Sequence, residues 1–177
     1  LLGDDKKQPA GDFIFSFFKN EKTGKTHAYH DLLSLKDSFQ GRDTAKTVLR
    51  NNFRLYDELG MDHVDLTAAI TVGGYAWARY GWQLKDSDWN HENINKQLEK
   101  RLKELDLKPS TRKTLRKLLK SNDPKKLWTV SDMRQTVIKD GKETTLGKAL
   151  LLGTNWQGTF DLKDADSRRR LEHYIGA

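Results

Sequence analysis

The residues best placed to do chemistry as a unit are Leu32-Leu33-Ser34-Leu35-Lys36-Asp37-Ser38-Phe39-Gln40-Gly41-Arg42-Asp43-Thr44-Ala45, which read as a strand running into a short turn that opens a helix. Such a turn is an anion site. The first backbone N–H groups of a helix lack intrahelical acceptors and the macrodipole adds partial positive charge, so a pyrophosphate can take the place of water there. Other constellations are weaker. His27 and His30 are three apart in an expected strand, which puts them on opposite faces, and no third ligand lies nearby, so no metal site is expected. Asp62-His63 and Ser131-Asp132 have the composition of a hydrolytic triad without a nucleophile elbow. Trp82, Trp89, Trp128 and Trp156 have the chemistry to stack on bases, but Trp at such spacings more often fills a core.

The elements that position this turn follow from pattern and punctuation. Asp12 to Lys19 is β-rich, Asn20 to Lys25 is a polar turn containing Gly24, and Thr26 to Leu35 alternates as the return strand of a hairpin. Thr44 to Leu59 places Val48, Leu49, Asn52, Phe53 and Tyr56 at helical spacing, with Asp43 or Thr44 as N-cap and Gly60 as stop. His63 to Ala68 alternates as a half-buried strand, and Gly74 to Tyr80 is a short helix closed by Gly81. Further on, Ile94, Leu98, Leu102 and Leu105 form one helical stripe. Pro109 ends that helix, Ser110 or Thr111 caps the next, and Asp123-Pro124 opens a third. Leu146 to Leu152 and Arg168 to Ile175 add two more. The expected fold class is α/β (α+β): a small mixed, largely antiparallel sheet with flanking helices over residues 11–89, then a basic, mostly helical subdomain over 90–177, with residues 1–10 as a disordered segment or linker.

From Leu33 to Trp82 the chain resembles the GNAT acyltransferases, whose pyrophosphate loop runs Gln/Arg-x-x-Gly-x-Gly/Ala after a strand ending in an aliphatic residue. Gln40, Thr44 and Ala45 match that loop, Leu35 stands at the aliphatic strand position and Phe39 at an aromatic one. Leu59-Gly60, then Val64 to Ala68, then Trp77-Ala78-Arg79-Tyr80-Gly81-Trp82 follow in the family's order. The resemblance implies an acetyl-CoA site formed by Ser34, Leu35, Gln40, Gly41, Arg42, Asp43, Thr44 and Ala45. It also implies direct transfer of an acetyl group to an amine acceptor whose identity it leaves open. Direct transfer needs a base and a proton donor for the thiolate; His30 is the expected base, and Tyr75 or Tyr80 the expected acid. Asp43 stands where the family has its central Gly, and Trp77 where it often has a Tyr. Those departures, and the short run before the cofactor strand, are what a non-catalytic structural or interaction module on the same frame implies, for example in a phage or mobile-element protein.

Composition bounds these readings. The chain has 177 residues, 36% hydrophobic and 10% aromatic, enough for a packed core under a surface made polar by 32% charged residues. No run approaches the ~18 apolar residues of a membrane span, and the first residues lack a signal arrangement. The absence of Cys excludes disulfides and thiolate chemistry and fits the cytoplasm or another reducing compartment, or a virion under the phage-like reading. The first residue is Leu, not Met, which suggests a piece of a longer protein. Asn90 to Lys126 carries twelve Lys/Arg against five Asp/Glu and so accounts for the whole net charge of +7. A solvated helical face is the first explanation; the second is a site at Lys96–Lys126 for an acidic macromolecule or nucleic acid.

Overall fold

The computed structural model describes residues 9–40, 43–69 and 72–176. Its order is β1 (Gly11–Lys19), β2 (Thr26–Leu35), a 3-10 turn (Asp37–Phe39), α1 (Thr44–Glu58), β3 (His63–Ala68), α2 (Gly73–Arg79) and β4 (Gln83–Leu84). Then come α3 (Asp88–Glu104), α4 (Pro109–Leu119), α5 (Lys126–Ser131), β5 (Thr136–Lys139), β6 (Lys142–Thr145), α6 (Leu146–Leu151), β7 (Trp156–Asp161) and α7 (Ala165–Ile175). The fold is α+β, with a mixed five-stranded sheet in the order β1-β2-β3-β7-β4, a separate β5-β6 hairpin, and helices flanking the sheet. Chain contacts divide it into two compact units, residues up to Leu66 with those from Phe160 onward, and Thr67–Thr159.

In the first unit the β1-β2 hairpin forms where alternation and turn chemistry agree. Asn20 Oδ1 accepts from the backbone N–H of Lys22 and Thr23, and Gly24 supplies φ +71°, so the chain reverses and Lys19 faces Thr26. The ladder runs to Gly11–Leu35 with a bulge between Ile14 and Phe15 that leaves Asp31 without an opposite residue. β2 then pairs with β3 in parallel, from His27–His63 to His30–Leu66. Parallel strands need a crossover, and α1 supplies it, with Val48, Leu49, Phe53 and Tyr56 buried. Tyr56 meets Phe15 and Phe17 edge-on, and Phe53 meets Phe160 at 4.8 Å. The buried rings of Phe53 and Phe160 each contribute about 1.5–3 kcal/mol by leaving water. Arg50 donates to the Ile175 carbonyl and Arg168 forks onto Asp57, tying α1 to α7.

The second unit is built around Trp82, Trp156, Leu84 and the α3 stripe of Ile94, Leu98 and Leu102, all fully buried. Ser87 caps α3 by accepting from Asn90 N–H. Buried Asn90 donates to the carbonyls of Lys85 and Gln157 and accepts from Gln157 N–H. Lys126 is also fully buried, and its ammonium donates to Asn95 Oδ1 and to the carbonyls of Leu119 and Ser121 at 3.0–3.1 Å. Burial lowers its pKa, and the three acceptors keep the cation satisfied. Several sequence expectations are corrected. Pro109 occupies the first turn of α4, so Lys108, not Ser110 or Thr111, is at its N-cap position. Asp123 accepts from Lys125 N–H in the turn before α5 and does not cap that helix, whose N-cap is Lys125. Asp43 is at the α1 N-cap without a side-chain cap bond. Residues 90–177 also hold β5, β6 and β7 besides their helices.

One close approach fixes the second unit. A Cβ on Gly74 would lie 2.2 Å from Thr154 Oγ1 and 2.6 Å from the Leu151 carbonyl oxygen, and the Gly74 carbonyl accepts from the Trp156 indole. Replacing Gly74 by Ala should therefore cost about 1–3 kcal/mol by overpacking. Urea unfolding should show a lowered midpoint at unchanged slope, and an unmoved midpoint would contradict this packing.

Candidate functional site

The helix singled out by the sequence is present as α1, and the chain before it is described up to Gln40 and again from Asp43. β2 is paired with β1 from Thr26 to Leu35 except at the bulged Asp31, but its described pairing with β3 stops at His30–Leu66. Among the described residues, Leu32–Leu35 thus have a strand partner on one edge only, and the 3-10 turn follows before α1. Gln40 closes that turn: its amide donates to the Leu35 carbonyl at 2.9 Å and to Asp37 Oδ1 at 3.1 Å. Lys36 N–H donates to the Ala10 carbonyl, which holds the end of β2 against the start of the hairpin. Ser34 is exposed, while Leu35, Thr44 and Ala45 are half-buried. Gly41 and Arg42 lie outside the described residues.

Charge at the start of α1 is balanced locally. Asp43 points to Lys46, with Nζ 2.9 Å from Oδ1. The hydrogen bond and charge of Lys46 hold the Asp43 carboxyl below its ordinary value, and Asp43 raises Lys46 in return. The Asp43 carboxylate is thereby drawn toward the helix flank, and both groups are exposed to screening.

The expected catalytic residues are placed differently from one another. His30 is 4% exposed, its Nε2 lies 2.8 Å from Tyr56 Oη, and its ring meets Phe13 edge-on at 5.0 Å. Burial lowers its pKa from 6.5 to about 3 and raises that of Tyr56. A base must accept a proton near the working pH, and the burial of His30 between β2 and α1 works against that role. Tyr75 and Tyr80 belong to the second unit. Tyr75 accepts from Arg79 at 3.1 Å, with the guanidinium and the Lys148 ammonium at 5.8 and 6.0 Å from its ring. Tyr80 meets Trp77 edge-on at 6.1 Å.

A second group of polar residues escaped the sequence reading. Alternation does put His27 and His30 on opposite faces, but the parallel register places His63 beside His27, and Asp65 follows two residues on. The third ligand that sequence proximity lacked is brought in by strand pairing. The ligand atoms of His27, His63 and Asp65 all lie within 4.8 Å of one another.

The burial of His30 sets a pH dependence. Its folded pKa, about 3, is below the 6.5 of the unfolded chain, so between these values the unfolded state binds the extra proton. Its contribution to stability is complete above about pH 6.5 and is lost as the pH falls. From about pH 6.5 to 5, His30→Gln should flatten the fall in unfolding free energy by about 1.4 kcal/mol per pH unit. Parallel curves for the variant and the parent in chemical denaturation would contradict the neutral buried imidazole. The chain matches no family model, no curated protein and no solved structure.

Proposed function

We propose that this chain is a GNAT-like acyl-CoA-binding domain that transfers an acetyl group to an amine acceptor. The observation that carries the reading is the parting of β2 from β3 after His30–Leu66, directly before a turn that opens a fifteen-residue helix. An open strand edge offers unpaired backbone groups to the amides of a pantetheine arm, and a helix N-terminus offers N–H donors and dipole to a pyrophosphate. In this reading Ser34 and Leu35 meet the arm, Thr44 and Ala45 meet the pyrophosphate, and Gln40 serves by fixing the turn. The amine nitrogen attacks the thioester carbonyl carbon, the carbon–sulfur bond breaks, the nitrogen loses a proton and the thiolate gains one. Removal of the amine proton falls to a group other than His30.

Isothermal titration of the full chain with acetyl-CoA should give saturable binding of one equivalent. Ala45→Glu should weaken it by at least about tenfold through charge and bulk at the anion site, whereas Asp43→Asn should tighten it by freeing Lys46 for phosphate. No saturation up to millimolar cofactor would remove the reading.

A second reading has its own observation. Of the cations in residues 90–126, Lys126 is buried, Arg101 donates to the Leu150 and Leu152 carbonyls, and Arg112 caps α3 at the Leu102 and Leu105 carbonyls. Lys113, Lys117 and Lys120 are exposed along α4 and border a depression of about 760 Å³ with Leu107, Pro109 and Arg116. Such a row suits a phosphate-rich polymer. Binding to a short duplex should then fall with salt at a log–log slope near −0.9 for each phosphate contacted, and a Lys113/Lys117/Lys120→Gln variant should lose about two to three units of that slope. A flat salt response would end this reading.

A further inference from the structure

Away from the turn at α1, the first unit brings together two half-buried imidazoles and a buried carboxylate. Tight parallel pairing stacks His27 of β2 on His63 of β3, with ring centroids 4.8 Å apart and planes 7° from parallel. Phe18, opposite His27 on β1, stacks on its other side at 5.1 Å and 19°. Asp65 is on the same face of β3 as His63, because side chains two apart on a strand share a face. Its Oδ2 is 3.8 Å from His63 Nε2, and its side chain is only 5% exposed against 29% for His63.

We propose that His27, His63 and Asp65 form a binding site for a borderline first-row divalent cation of the zinc or cobalt class. Two imidazoles and one carboxylate select such an ion over magnesium or calcium, which prefer all-oxygen shells. A tetrahedral ion with bonds of about 2.0–2.2 Å needs ligand atoms roughly 3.3 Å apart. The His63–Asp65 pair is half an ångström from that separation. The His27–His63 pair reaches it when the two rings rotate out of their stack, a change about side-chain torsions that leaves the strand register intact. The cation would also neutralise a carboxylate that the fold has withdrawn from water, which favours occupancy. Three protein ligands leave a coordination position for water, the arrangement of an open rather than a closed metal site. Because all three ligands stand on paired strands, the site is held by backbone hydrogen bonds and not by a loop.

The test is titration of the tag-free, chelator-treated full chain with zinc chloride, and with cobalt chloride followed by visible absorption. Saturation at one equivalent with micromolar or tighter affinity, and cobalt bands of a four- or five-coordinate ion, are expected. His27→Ala and His63→Ala, each checked for retained fold by circular dichroism, should each weaken zinc binding by more than the roughly 10–100-fold that an outer-shell residue costs. Asp65→Asn, which keeps shape and an oxygen, should weaken it less than either. Absence of saturable binding, or affinity unchanged in both histidine variants, would overturn the site.

Discussion

The constraint on which the first unit rests is the four-pair parallel register between β2 and β3. A parallel pair cannot be joined by a tight turn, so the chain must leave the sheet, cross and return, and α1 is that crossing. Because the crossing helix lies on one face, that face must be apolar: Ala28, Val64, Leu66 and Ala68 are buried, and His30 is carried inward with them. The same register decides what stands on the other face, where His63 is set against His27. Its early end leaves Leu32–Leu35 with a single partner strand among the described residues. A core histidine, a cluster of ligands and an open strand edge thus have one cause.

The two units solve the problem of buried polar groups in different ways. In the first, the burial of His30 is made tolerable by neutrality, with Tyr56 Oη at hydrogen-bond distance. In the second, Lys126 keeps its charge and is matched donor for acceptor by Asn95, Leu119 and Ser121, two of these acceptors being carbonyls at the end of α4, where the helix dipole favours a cation. Asn90 does the same for the β7 backbone at Gln157. Part of the positive charge between Asn90 and Lys126 is therefore structural, whereas the lysines exposed along α3 and α4, such as Lys100, Lys103, Lys113 and Lys117, face outward.

Much of the first half was legible because several signals agreed. The strands Thr26–Leu35 and His63–Ala68 have the limits that alternation and turn residues set for them, and α1 ends one residue before the expected stop. The mixed sheet with flanking helices follows from the same order of elements. In the second half a readable signal was passed over: Asp140-Gly141, with φ of +51° and +74°, is a two-residue hairpin turn between β5 and β6. β7 too alternates, with Trp156, Gly158 and Phe160 buried and Gln157 and Asp161 exposed. β4, two residues long, has no period to read. The candidate site divides the same way. Its helix is local and legible, but the cluster of His27, His63 and Asp65 depends on register between residues 36 positions apart, and nothing in a strand's own pattern says which of its faces a helix will cover.

The account stands or falls on where an acyl-CoA thioester sits. The most direct measurement is an amide proton–nitrogen correlation spectrum of the isotopically labelled chain during titration with acetyl-CoA. The account predicts saturable shifts centred on the amides of Ser34, Leu35, Thr44 and Ala45. Shifts centred instead on Lys113 to Lys120, or none at millimolar cofactor, would contradict it.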